Sequence, residues 1–215
     1  MVRPLLITDC DEVLLHMVRH FGDWVGQAHD MDFTVGHPEV FSSLRHRTTG
    51  ERPDMARVWE LLGGFFPGEM GRQTLVPHAA EALGVLAEVA DVVILTNLAD
   101  QCRLPRIEQL RRFGIEHRVE CNQGGKGDPV ARLVAEHGHP VTVFVDDLPV
   151  HHESVARHAP DVHRLHMVSE PELAPHIPPA PHAHARIDDW RDARDWIVGR
   201  FTLGVPATDL TGADA

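Results

Sequence analysis

Four short stretches of this chain carry polar residues where burial and chemistry meet. Asp9 and Asp11 follow the apolar run Leu5-Leu6-Ile7. Thr96 and Asn97 follow Val92-Val93-Ile94-Leu95, and Asp146 and Asp147 follow Val143-Phe144-Val145. Lys126 stands among glycines in Gly124-Gly125-Lys126-Gly127. Asp9, Asp11, Asp146 and Asp147 offer only oxygen ligands, and clustered carboxylates raise each other's pKa unless a cation joins them. An all-oxygen set favours Mg²⁺ over zinc or copper. Magnesium keeps waters and takes one or two carboxylates plus substrate phosphate. The chemistry expected of these residues is therefore hard-metal, phosphate-handling chemistry. Singly, each has an ordinary explanation. Asp11 and Asp146 suit helix N-caps, Thr96-Asn97 suits a strand-to-helix cap, and Lys126 suits a solvated turn. Their joint occurrence is what those explanations leave over.

The elements that must position them can be read from periodicity. Residues 4–9, 91–96, 118–121 and 141–145 read as strands, with a weaker one at 162–168. Helical spacing is expected over 13–30, 53–66, 78–89, 99–113, 128–136, about 148–157, and after an N-cap at Asp188. Pro67-Gly68 should close the second of these helices, and Pro105 should interrupt or restart the fourth. Strands alternating with helices imply a parallel sheet with helices on both faces. In such sheets chemistry sits outside the carboxyl ends of the strands, and three of these strands end in the polar pairs above. Residues 14–75 read as a mostly helical insertion between the first strand and the next clear one. The Pro- and His-containing stretch 171–184 reads as a connector, and 206–215 as a disordered tail.

Composition narrows the classes. The chain has 215 residues, 43% of them hydrophobic, which suits one core plus a small inserted unit. A net charge of -12 argues against a nucleic-acid polymer as partner. No apolar run is long enough to span a membrane, and the N-terminus lacks signal-peptide character. Three cysteines without zinc-like spacing fit a reducing, cytoplasmic setting. Seventeen histidines, spread along the chain, argue against one metal cluster. A monomer or homodimer is expected.

The four stretches, in this order, resemble the four motifs of the haloacid dehalogenase (HAD) superfamily. The resemblance implies an α/β fold: a Rossmann-like parallel sheet with helices on both faces plus a small helical cap inserted after the first strand. The core would comprise 1–13 and 76–205, and the cap 14–75. It implies that Asp9 is a nucleophile forming an aspartyl phosphate, and that Asp11 is the acid/base. Thr96, with Asn97, would bind the phosphoryl group, and Lys126 would offset its charge. Asp9, Asp11 through its carbonyl, Asp146 and Asp147 would hold Mg²⁺, with one of Asp146 and Asp147 binding directly and the other through water or orienting Lys126. The dehalogenase branch lacks the second acid of the first motif, so Asp11 points to phosphate esters. A phosphate-accepting receiver domain places its acids and Lys in a different order.

An insertion at this point corresponds to a type-one cap, which would close over the site and select the leaving group. Phe21 and Trp24 are candidates for contact with substrate, although their helical spacing also suits packing. Residues 12–24 loosely resemble the 5'(3')-deoxyribonucleotidase branch. Arg45, His46, Arg47 and Arg52 form a basic patch that could meet an anion. The expected activity is Mg²⁺-dependent hydrolysis of a small phosphomonoester. Phosphotransfer or phosphomutase chemistry, nucleotidase-like specificity, and a non-catalytic binding module are the alternatives.

Overall fold

The computed structural model describes residues 2–36 and 40–208. Strand β1 (Leu5–Thr8) is buried throughout. The insertion then contains β2 (Leu15–His16), α1 (Val18–Ala28), β3 (Met31–Asp32), β4 (Arg45–His46), α2 (Met55–Glu69) and β5 (Thr74–Leu75). The chain returns to the core through α3 (Ala79–Val89), β6 (Asp91–Thr96), α4 (Arg103–Arg112), β7 (Arg118–Cys121) and α5 (Gly127–Glu136). It finishes with β8 (Thr142–Asp146), α6 (Pro149–His158), β9 (His163–His166), β10 (Ala185–Arg186) and α7 (Trp190–Leu203).

Six strands form one sheet in the order β10-β9-β8-β1-β6-β7, and every pairing in it is parallel. The central strand β1 pairs β6 on one side and β8 on the other, with Thr8 opposite Ile94 and Val145. Side chains alternate faces along a strand. Leu6, Ile94, Val143 and Leu165 pack with Leu83, Leu86, Leu110, Trp190 and Ile197 of α3, α4 and α7. Leu5, Ile7, Val93 and Phe144 pack on the opposite face with Val130, Leu133 and Val155 of α5 and α6. Burying each such side chain contributes about 1.5–3 kcal/mol, which is why these runs read as continuous apolar strands. This is the Rossmann-like α/β core with helices on both faces.

The insertion has its own apolar cluster, with Phe21, Val25, Met31, Leu44, Val58, Leu61, Leu62 and Phe65 at its centre. Its two ends run side by side, because β2 pairs β5 antiparallel with Leu15 opposite Leu75.

Several expectations change. The first helix starts at Val18 rather than Val13, because Glu12 Oε1 accepts from the amides of Met17 and Val18, both at 2.6 Å. Residues 12–16 instead form a turn and β2. Between the insertion's helices lies the β3–β4 pair, with Met31 opposite His46. Helix α2 runs past Pro67 to Glu69. The proline removes one amide near the helix end, where Gly63 is exposed and water can serve its carbonyl. Pro105 falls in the first turn of α4, where no amide is needed. The N-cap of α7 is Asp189, which accepts from Arg191 N at 2.8 Å. Asp188 instead accepts from Val168 N, two residues past β9. Of the tail, 209–215 lie outside the described residues. Ala207 is buried and its amide donates to Asp161 O at 2.9 Å, so order extends beyond 205.

Candidate active site

Parallel strands share a direction, so the carboxyl ends of β1, β6 and β8 meet at one edge. Asp9 follows β1, Thr96 ends β6 and Asp146 ends β8. Asp9 N donates to Val145 O at 2.8 Å, which fixes the first acid beside the last strand residues of β8. Lys126 precedes α5 and is fully buried. Its Nζ lies 2.7 Å from Asp9 Oδ1 and 2.7 Å from Asp146 Oδ2. Ligand atoms of Asp9, Asp146 and Asp147 lie within 4.8 Å of one another.

The two adjacent acids differ in surroundings. Asp146 is buried, with one oxygen on Lys126 and the other accepting from Leu148 N at 2.9 Å. Asp147 is half-buried beside it. Burial pushes the Asp9 carboxyl up to about 7, with Lys126 opposing and Asp146 reinforcing the shift. Burial, then the charges of Asp146 and Asp9, hold Asp147 well above the usual carboxylate range. For Asp146 burial is outweighed by Lys126 and the neighbouring His151 and His152, so it stays below that range. Lys126 alone therefore does not neutralise the three carboxylates. A divalent cation on the remaining oxygens would, and an all-oxygen donor set suits Mg²⁺.

Thr96 Oγ1 is buried and makes no hydrogen bond, leaving a hydroxyl at the same edge with donor and acceptor capacity to spare. Asn97 has a different occupation. Its Nδ2 donates to Gly124 O at 2.8 Å and its Oδ1 accepts from Asn122 at 2.9 Å. It thereby holds the glycine loop that delivers Lys126.

Asp11 is met by residues that the sequence reading did not single out. Arg106 Nη2 lies 2.9 and 3.0 Å from its two oxygens, and Gln73 Nε2 donates to Oδ1 at 2.7 Å. Arg106 is completely buried and also reaches Cys10 Sγ at 3.2 Å. The available signal was phase: Cys102, Arg106 and Leu110 fall four apart, so a charged residue occupies the inward stripe of α4. Gln73 belongs to the returning end of the insertion, and Gln109 of α4 bonds both Met70 O and Gln73.

The insertion's candidate residues lie elsewhere. Phe21 is buried and makes edge-on contacts with Phe33, Phe41 and Phe65, so its faces are used in packing. Trp24 packs against Phe65 and His29. Arg45 donates to the carbonyls of Ser42 and Leu44. Arg47 pairs with Asp30 and Asp32. All four are occupied within the insertion.

No protein-family model and no curated protein matches the sequence. Solved structures do match the fold. A haloacid dehalogenase-like family hydrolase from Streptococcus pneumoniae superposes with TM-score 0.62 at 10% identity, covering 90% of this chain and 97% of that one. A predicted phosphoglycolate phosphatase from Haemophilus somnus gives 0.63 at 14% identity, covering 92% and 99%. A provisionally assigned β-phosphoglucomutase from Thermotoga maritima gives 0.57 at 14% identity, covering 91% and 99%. The chain has the haloacid dehalogenase-like fold, over nearly its whole length.

Proposed function

We propose that the protein is a Mg²⁺-dependent phosphomonoester hydrolase in which Asp9 is the nucleophile and the insertion acts as a cap. The observation that carries this reading is Lys126 held 2.7 Å from both Asp9 and Asp146 at the strand edge, with Asp147 alongside. Asp9 Oδ attacks phosphorus; the P–O bond to the leaving alcohol breaks, and the phosphoryl group passes to Asp9. Lys126 offsets charge on the nucleophile and the transferring group, and Thr96 Oγ1 hydrogen-bonds a phosphoryl oxygen. Asp11 gives a proton to the leaving oxygen, then takes one from the water that hydrolyses the aspartyl phosphate. For that, its carboxyl must exchange Arg106 and Gln73 for the substrate. Mg²⁺ would be held by Asp9, Asp147 and the Asp11 carbonyl, and would neutralise charge on the phosphoryl oxygens. Asp146, with both oxygens engaged, orients Lys126. A small phosphorylated metabolite suits a site closed by a unit of this size.

Phosphotransfer to a second alcohol would use the same aspartyl phosphate and is the second reading, supported by the likeness to the Thermotoga fold. Two measurements test the first. Asp9→Asn should lower hydrolysis of an aryl phosphate by at least ~10³-fold. Chelation with EDTA should stop turnover and Mg²⁺ restore it; undiminished metal-free turnover refutes the cation's role.

A further inference from the structure

A second group of buried acceptors converges where the insertion leaves the core. Glu12, His16 and Glu170 are 2%, 4% and 1% exposed. One ligand atom from each lies within 4.8 Å of the others. They come from three places: the turn after β1, strand β2, and the segment beyond β9. Backbone contacts tie these places together, since Ser169 donates through Oγ at 2.5 Å and through N at 3.2 Å to Glu12 O.

The hydrogen-bond inventory here does not close. Glu12 Oε1 is used by the amides of Met17 and Val18, but Oε2 is buried without a partner. His16 Nδ1 is also buried without a hydrogen bond, 3.6 Å from Glu170 Oε2. Arg19 reaches Glu170 with two bonds of 2.6 and 2.8 Å, so one carboxylate of the two is paired. Among the described residues no cation lies within ion-pair distance of Glu12, although the charge of Arg19 acts on it from farther off. Burying a carboxylate oxygen with no donor is unfavourable unless a proton or a cation meets it. Glu12 is moreover held at a φ of 59°, a region a non-glycine residue occupies only when its surroundings enforce it.

We propose that Glu12 Oε2, His16 Nδ1 and a Glu170 carboxylate oxygen form a second divalent-cation site, distinct from the Asp9/Asp146/Asp147 edge and suited to a first-row transition ion such as Zn²⁺. One imidazole nitrogen with two carboxylate oxygens is a borderline donor set, which zinc takes at four-coordination with water completing the shell. Magnesium, which prefers oxygen and resists dehydration, is disfavoured there. Arg19, half-exposed, donates to both Glu170 oxygens and would orient that carboxylate, as outer groups do for metal-bound carboxylates. The ion would cross-link β2 to the segment after β9, fastening the insertion's first connection to the core. The proposal does not depend on the phosphatase reading.

The test uses the full chain, stripped of metal and titrated with Zn²⁺ against a chromophoric chelator at neutral pH. One tight equivalent is expected for the unaltered protein and for Asp147→Asn, and its loss is expected in His16→Gln and in Glu12→Gln. Zn²⁺ should raise the melting midpoint of the unaltered protein and not that of His16→Gln. Adventitious binding to the other histidines is controlled by His176→Gln with His182→Gln, which should keep the tight equivalent. If Glu12→Gln does not fold, imidazole NMR supplies the second measurement: one histidine should shift on adding Zn²⁺, and that signal should be absent in His16→Gln. No tight equivalent in the unaltered protein, or one that persists in His16→Gln, overturns the site and leaves a proton on Glu12 as the alternative.

Discussion

Among individual residues, Asp11 joins chemistry to position. Both its oxygens accept from Arg106, and one also accepts from Gln73. A carboxyl in this setting is held in place but turned toward protein rather than substrate. Two outcomes follow at this scale. Asp11→Asn should slow hydrolysis of alkyl phosphates by about 10²–10⁴-fold and of a nitrophenyl phosphate far less, because only the poor leaving group needs a proton. Comparable losses on both substrates would remove Asp11 from the acid role. Lys126→Met should abolish turnover and also destabilise the fold by about 3–5 kcal/mol, since it strands two buried carboxylates. Chemical denaturation reads the second effect, and Mg²⁺ should recover part of it by restoring positive charge.

Among elements, the strand ends were legible because continuous apolar runs and abrupt polar endings both leave marks in the sequence. Asp9, Thr96 and Asp146 needed only a common strand direction to be brought to one edge. The turn at 12–16 was not legible: Leu14, Met17, Phe21 and Trp24 keep helical spacing, but the Glu12 carboxylate caps the amides at 17 and 18 and fixes a later start. Arg106 and Gln73 were missed for another reason. Their partner is far away in sequence, and polar residues buried by a long-range pair carry no periodic signal beyond their phase. The short β3–β4 pair has too few residues for alternation to show. The glycine loop before α5 makes its own prediction. A Cβ at Gly127 would collide with Ser154 O and the His158 ring of α6, where the Gly127 amide donates to Ser154 Oγ at 2.9 Å. Gly127→Ala should therefore part α5 from α6, costing about 1–3 kcal/mol and misplacing Lys126. A thermal melt and an activity assay on the same sample would show both, whereas an unchanged melting midpoint would deny the close approach.

For the molecule as a whole, buried histidines contribute a loss of stability in acid. Burial brings His152 down to about 4, against Asp146, and burial with Arg19 brings His16 to about 4, against Glu170. A folded pKa below the unfolded one means that the unfolded chain binds more protons in between. The stability contributed by these two histidines is thus fully present above about 6.5 and is lost as pH falls from 6.5 through about 4, while the raised Asp9 and Asp147 carboxyls act in the opposite direction over the same window. Compared with the unaltered protein, His152→Phe should gain urea midpoint at pH 5 relative to pH 7; an unchanged difference between the two pH values would show that His152 titrates normally. No helix of the described residues is long and apolar enough to cross a membrane. The pairing of Leu15 with Leu75 has one more consequence. The chain leaves and re-enters the core at neighbouring points, so everything between behaves topologically as a detachable loop. A short turn joining residue 15 to residue 75 would close the core without re-routing any strand of the six-stranded sheet. Insertions of other lengths could be grafted at the same joint, making it a place where the architecture permits exchange of one inserted unit for another.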